Sequence, residues 1–162
     1  DLRILPYNRV VKDLNGLSKE AFFEKVKKSF QLSEGKSNPA LHTVHMYLDR
    51  QWYTLTAKEE TYKGADAIGR LDVSILQNQL LDPILGIADP RTSERVAFVG
   101  GIRGEGELIK LVDSGAWAVA FSMYPTSMQE LFDIADAGQI MPPKSTWFEP
   151  KLRSGFLVHK FS

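Results

Sequence analysis

Lys144, Ser145, Thr146 and Trp147 follow one another between Pro142–Pro143 and Pro150, so that a cation, two hydroxyls and an indole share one stiff stretch of chain. Proline fixes its own φ and pushes the residue before it into extended backbone, which leaves these side chains little freedom to lose on binding. Lys144 suits a phosphate or carboxylate, the hydroxyls of Ser145 and Thr146 suit its oxygens, and Trp147 with Phe148 offers a stacking wall. The plain alternative is that Trp147 and Phe148 plug the core while Lys144 and Glu149 are merely solvated.

Two further segments carry chemistry of the same kind. In "FVGGIRGEGEL" (98–108) apolar residues run into glycines and then into a helical pattern, the arrangement of an anion-binding turn, with Arg103 as its cation. Its glycines at 100, 101, 104 and 106 do not follow a dinucleotide fingerprint, and no Gly-Lys-Ser/Thr ending is present. Glu105 and Glu107 fall in the first helical turn, where they satisfy the positive helix end and repel phosphate. Tight-turn geometry explains these glycines as well as a ligand does. In "SMYPTSMQEL" (122–131) Pro125 stiffens a strand-to-helix junction, and Ser127 with Glu130 has capping-box spacing. Tyr124 and Ser122 would face a crevice there, although capping alone accounts for the hydroxyls.

Histidines and arginines elsewhere give less. His42 and His45 are three apart, so on a strand their rings point to opposite faces and do not make a metal pair. His159 reads as a structural strand residue. With no cysteine and no HExxH pattern, a zinc site built by the protein is not expected. Arg91 and Arg95 lie in a turn ahead of the strand whose far end carries Arg103, so they share a pocket with it only if the loop folds back.

These residues must be positioned by short, mixed elements. "LRIL" (2–5) is read as a strand closed by Pro6, with "YNRVVKDLNG" turning toward a first helix capped by Ser18 and carrying Phe22, Phe23, Val26 and Phe30. "LSEGKSNPA" (32–40) is read as a loop, and "LHTVHMYLD" (41–49) and "RQWYTLTA" (50–57) as the two strands of a hairpin turning at Asp49–Arg50. A second helix starts at Leu71–Asp72 and bends or ends near Pro83. Strand, helix, strand and helix then follow from Arg95 to Gly138, and a closing strand is expected over 154–161. Strands without helices precede strands interleaved with helices, which predicts an α+β single domain, a mixed or antiparallel sheet packed by about four helices.

The whole chain sets wider bounds. At 162 residues it fits one domain, 1–162. Twenty basic and twenty acidic residues cancel, so no net field holds a nucleic-acid backbone or an anionic membrane. The lack of cysteine fits a reducing compartment, and no apolar run reaches the ~20 residues of a bilayer span, which together point to the cytoplasm. The chain starts at Asp1 and enters a strand at once, as the C-terminal piece of a longer protein would.

"GQIMPPKSTWFEPKLRSG" (138–155), with "YNRVVKDLNGLS" (7–18), "RLDVSILQNQLLDPILGI" (70–87) and "FVGGIRG" (98–104), resembles the C-terminal half of the domain of unknown function 1015 family of bacterial and archaeal proteins. The resemblance brings no activity with it. It implies an upstream Asp-Gly-His-His-Arg segment in full-length members, absent from this sequence. A similar cluster occurs in small-molecule kinases of the sulfiredoxin-like class that phosphorylate free serine, and members are encoded near serine-biosynthesis enzymes. The expectation is therefore a domain that binds a small anionic metabolite or a nucleotide, with phosphotransfer linked to serine metabolism in view. Its candidate residues are Lys144, Ser145, Thr146, Trp147, Arg103 and Tyr124, and a missing N-terminal half would complete the site. The residues name no cofactor. A scaffold or oligomerisation domain without a ligand is the alternative.

Overall fold

The computed structural model describes residues 2–150, and its backbone is organised around a strand that the sequence reading cut short. β1 (Leu2–Val11) runs straight through Pro6. Proline is tolerated there because β1 changes partners at that point: Leu2–Pro6 pairs with β7 (Thr146–Pro150), and Tyr7–Val11 pairs with β5 (Val96–Gly100). The residues expected to turn toward a helix are thus the buried middle of a sheet.

Six strands lie in the order β2-β4-β3-β6-β1-β5, with β7 added on the first half of β1, and every pairing is antiparallel. β2 (Phe30–Glu34) occupies residues read as the end of a helix and the start of a loop; Phe30 is buried opposite Ala57, so cross-strand pairing overrides the helical spacing. β3 (Thr43–Leu48) and β4 (Gln51–Ala57) form the expected hairpin, with Asp49 and Arg50 both at positive φ, 51° and 62°, as a two-residue turn of matching twist requires. β6 (Val119–Ser122) sits between β3 and β1 and is buried throughout, which explains its unbroken apolar run.

Among the described residues four α-helices flank the sheet. α1 (Lys19–Val26) is capped as expected, Ser18 Oγ accepting from Ala21 N at 3.1 Å. α2 (Asp72–Leu76) runs on into a widened turn in which Asp82 N–H donates to Gln77 O, an i→i+5 bond just ahead of Pro83. α3 (Gly104–Asp113) and α4 (Met128–Asp136) follow, the latter with the complete Ser127–Glu130 capping box. One core, which includes Phe22, Met46, Leu55, Leu80 and Phe121, gathers residues from α1, α2 and α4 on one face of the sheet; a smaller one on the other face joins Val10, Tyr47, Val99 and Ala120 to Leu108 and Val112 of α3. β3 is buried along its whole length because both faces are covered. The closing strand read over 154–161, with His159, lies outside the described residues.

Candidate functional site

The face covered by α3 carries a row of polar side chains inside the sheet. His45 on β3 lies directly opposite Thr54 on β4 and Ser122 on β6, and Asn8 of β1 continues the row by accepting from Met123 N at 2.8 Å. All four are at least nine-tenths buried. Polar groups this deep cost free energy unless partnered, so their partners define what the site can do.

Glu105, in the first turn of α3, partners two of the four. Its Oε2 accepts from Ser122 Oγ at 2.8 Å and lies 3.8 Å from His45 Nδ1, while its Oε1 pairs with Lys36 Nζ at 2.6 Å. Burial alone would push this carboxyl up; the hydrogen bonds and charges of Lys36, Ser122 and His45 outweigh it and hold the group below its ordinary value. On its other side His45 Nε2 meets Ser37 Oγ at 3.4 Å, and Thr54 Oγ1 donates to Gly35 O at 2.7 Å. Above the row opens a cavity of about 230 Å³ walled by Pro39, Thr43, Tyr124 and Pro125. An ionised carboxylate there favours an amine or hydroxyl over a phosphate, as the position of Glu105 in the helix implies.

Burial, with the Lys36 charge, pulls His45 below its ordinary value of 6.5 despite Glu105. A histidine depressed in the folded state adds stability above its unfolded value, and that stability is lost as pH falls through the folded one. The urea midpoint is therefore expected to drop below about pH 6.5, and His45→Gln to flatten that drop; parallel profiles for the two proteins would contradict it.

Three of the segments singled out in the sequence meet around Pro6 and Tyr7. Thr146 pairs with Pro6, and its Oγ1 lies 3.0 Å from Thr126 Oγ1, two residues beyond Tyr124. Gly101, two residues before Arg103, packs so closely on Pro6 that a Cβ there would lie 2.7 Å from Pro6 O. Lys144 stands at φ 58°, its Nζ 5.1 Å from the centre of the Tyr7 ring and its carbonyl accepting from Arg9 NH2 at 3.0 Å. Neither Lys144 nor the exposed Arg103 has a carboxylate partner among the described residues. Ser145 is buried, and its hydroxyl donates to Pro142 O at 2.6 Å, so it locks the turn. Trp147 is placed by its backbone, opposite Leu5. Tyr124 is half-exposed and belongs to the cavity over Glu105. Arg95 does not join Arg103: it forks onto Asp13 at 2.7 and 3.2 Å.

His42 and His45 diverge onto different partners. His42, at φ 65°, donates its backbone N–H to both oxygens of Asp72 at 3.0 and 3.1 Å, places Nδ1 3.0 Å from Oδ1, and stacks on Tyr62 at 3.7 Å. Burial pushes Asp72 up to about 6, against the pull of His42. This dyad was not legible in the sequence, because thirty residues separate its members. Among the described residues no group of three or more His, Cys, Asp or Glu is arranged to hold a metal ion, and no helix is long and apolar enough to cross a membrane.

An antiparallel α+β domain with a polar row under a helix start is the class these features define. The family model described as "Protein of unknown function (DUF1015)" matches residues 1–74, a little under half of the chain. The stretches 98–104 and 138–155 that also suggested the family lie outside the matched residues. Solved structures share the fold at low identity: a free serine kinase in complex with AMP (TM-score 0.51, 13% identity, 92% of this chain and 54% of that one). A mutant of that kinase with AMP gives TM-score 0.54 at 11% identity, over 92% of this chain and 55% of that one. A conserved hypothetical protein from Pyrococcus furiosus gives 0.55 at 10% identity, over 91% of this chain and 56% of that one. The chain spans a little over half the length of these structures. A comparison with curated proteins gives no match.

Proposed function

We propose that the chain forms one side of a pocket for a small anionic metabolite or a nucleotide in a cytoplasmic protein, and that a further segment of the same protein supplies the other side. The observation that carries the reading is the meeting of Lys144 and the Arg103 turn at Pro6–Tyr7, two cations without carboxylate partners among the described residues. Cations without a carboxylate partner are available to pair with an anion at this rim. Thr146 and Thr126 add hydroxyls to the same rim, and Trp147 stands on the adjoining strand. The shared fold with AMP-bound free serine kinases supports a nucleotide as the anion and phosphotransfer to a small hydroxyl compound as the reaction class.

Calorimetric titration of the full-length protein with AMP, ADP, ATP and phosphoserine tests this. At least one is expected to bind, with Lys144→Ala and Arg103→Ala each weakening it about tenfold or more. Both are surface changes, so the melting temperature should move by less than about 2 °C. Failure of all four ligands to bind sinks the proposal, and a large fall in melting temperature would make these residues structural instead.

A scaffold role has one observation in its favour: Met128, Phe132 and Ile140 on α4 and the turn after it are exposed, Ile140 at 86%. Sedimentation that finds a monomer unaffected by Phe132→Ser would remove it.

A further inference from the structure

Arg9 is a charged residue in the wrong place. It lies in the middle of β1, between β5 and β6, only 5% exposed, and burial pulls its guanidinium down to about 10, so it stays charged at neutral pH. Two of its five N–H donors go to backbone carbonyls, NH1 to Tyr7 O and NH2 to Lys144 O, and the Phe98 ring lies 5.0 Å from its central carbon. Carbonyls and a ring orient a guanidinium without neutralising it, and no carboxylate pairs with it among the described residues. A buried charge without a counter-charge is expensive to keep.

The guanidinium borders a cavity of about 310 Å³ between the sheet and α2. Its walls are largely apolar, with Phe98, Val73, Pro142 and Pro143 among them, and among the described residues no acidic one lines it. Arg91 reaches the rim but is already chelated by Asp89, at 3.1 and 3.3 Å, which leaves a single uncompensated positive charge. The opposite wall is α2 where it widens into the i→i+5 turn, a distortion that often marks a binding site. Gln77 there spends its amide on Ile87 O at 2.8 Å, while Ser74 and Asn78 line the cavity and their side chains make no hydrogen bond among the described residues.

From this geometry we infer that the Arg9 cavity binds the carboxylate of a small molecule with an apolar body. One fork and one net charge match a monoanion, since the planar guanidinium accepts a carboxylate edge with two parallel hydrogen bonds. Phe98 and the two prolines match an apolar body, and the volume is that of about ten waters, which bounds the ligand to roughly ten to fifteen heavy atoms. The inference stands apart from the nucleotide reading: it uses a different cation and a different cavity, and either can fail alone. The two are linked only through the Lys144 carbonyl, which Arg9 holds.

Phenylacetate is a suitable probe, with phenylacetamide as its neutral isostere and inorganic phosphate as an anion without an apolar body. At 10 mM, phenylacetate is expected to raise the melting temperature of the full-length protein by about 2 to 4 °C, with phenylacetamide and phosphate giving less than half of that. Arg9→Met, which keeps the stem and removes the charge, should abolish the rise. Ser74→Phe, which fills the cavity and leaves Arg9 in place, should abolish it as well. No rise, an equal rise with phenylacetamide or phosphate, or a rise that survives Ser74→Phe overturns the inference. If Arg9→Met does not fold, the comparison of the three probes on the unaltered protein decides.

Discussion

Asp72→Ala is expected to cost about 3 to 5 kcal/mol of stability, and Asp72→Asn about half as much. The carboxylate is almost fully buried and holds His42 by backbone and ring together, at a residue whose positive φ is itself unfavourable. Alanine leaves both donors without an acceptor; asparagine keeps one oxygen for the backbone N–H. The same pair gives stability a slope with pH. With Asp72 at about 6 in the folded protein against an ordinary 3.8, the folded state keeps a proton that the unfolded chain has released. This contribution is complete below about pH 4 and is lost as pH rises toward 6, the reverse of the His45 effect. Urea midpoints of Asp72→Asn should lack that decline, and a decline as steep as that of the unaltered protein would show that Asp72 does not titrate there.

Gly101→Ala is expected to cost about 1 to 3 kcal/mol and to weaken any ligand held by Arg103 and Lys144. A Cβ at this position would lie 2.7 Å from Pro6 O and 2.8 Å from Pro6 Cδ, and neither backbone nor a proline ring yields without moving β1 or the turn. Gly106, five residues on and within α3, has nothing within 4 Å of its would-be Cβ. Gly106→Ala should therefore stabilise by about 0.5 to 1 kcal/mol. Thermal denaturation of the two variants separates close approach from ordinary glycine cost; equal shifts would refute the contact with Pro6.

Local features were legible. The Ser18 cap, the Asp49–Arg50 turn, the Ser127–Glu130 capping box and the end of α2 near Pro83 each depend on residues within a few positions of one another. Long-range features were not. Pro6 read as a strand end because a sequence does not reveal that β1 exchanges β7 for β5 there. Phe30 read as helical because its spacing from Phe22 and Val26 is helical, whereas pairing with Ala57 decides its state. The polar row Thr54–His45–Ser122–Asn8 is invisible along the chain, since its members come from four strands. Arg9 was passed over for the same reason: "YNRVV" read as chain turning toward a helix, whereas the burial of Arg9 follows from β5 and β6 closing on either side. Of the candidate residues, Lys144, Thr146 and the Arg103 turn converge, Ser145 is spent on its own turn, and Tyr124 belongs to a neighbouring cavity.

The order in which strands are made differs from the order in which they can be used. β1 is the first of the described strands to be synthesised, yet its partners β5, β6 and β7 all begin at Val96 or later. The ribosome adds roughly 5 to 20 residues each second, so this strand waits several seconds without a ladder while the β2–β4–β3 part of the sheet assembles. A nascent chain stalled before residue 96 should therefore expose β1 to chaperones and proteases, and only when Thr146 has been made can the Lys144 turn be fastened to it. The two basic sites proposed above are therefore complete only once Pro142 to Thr146 has been made.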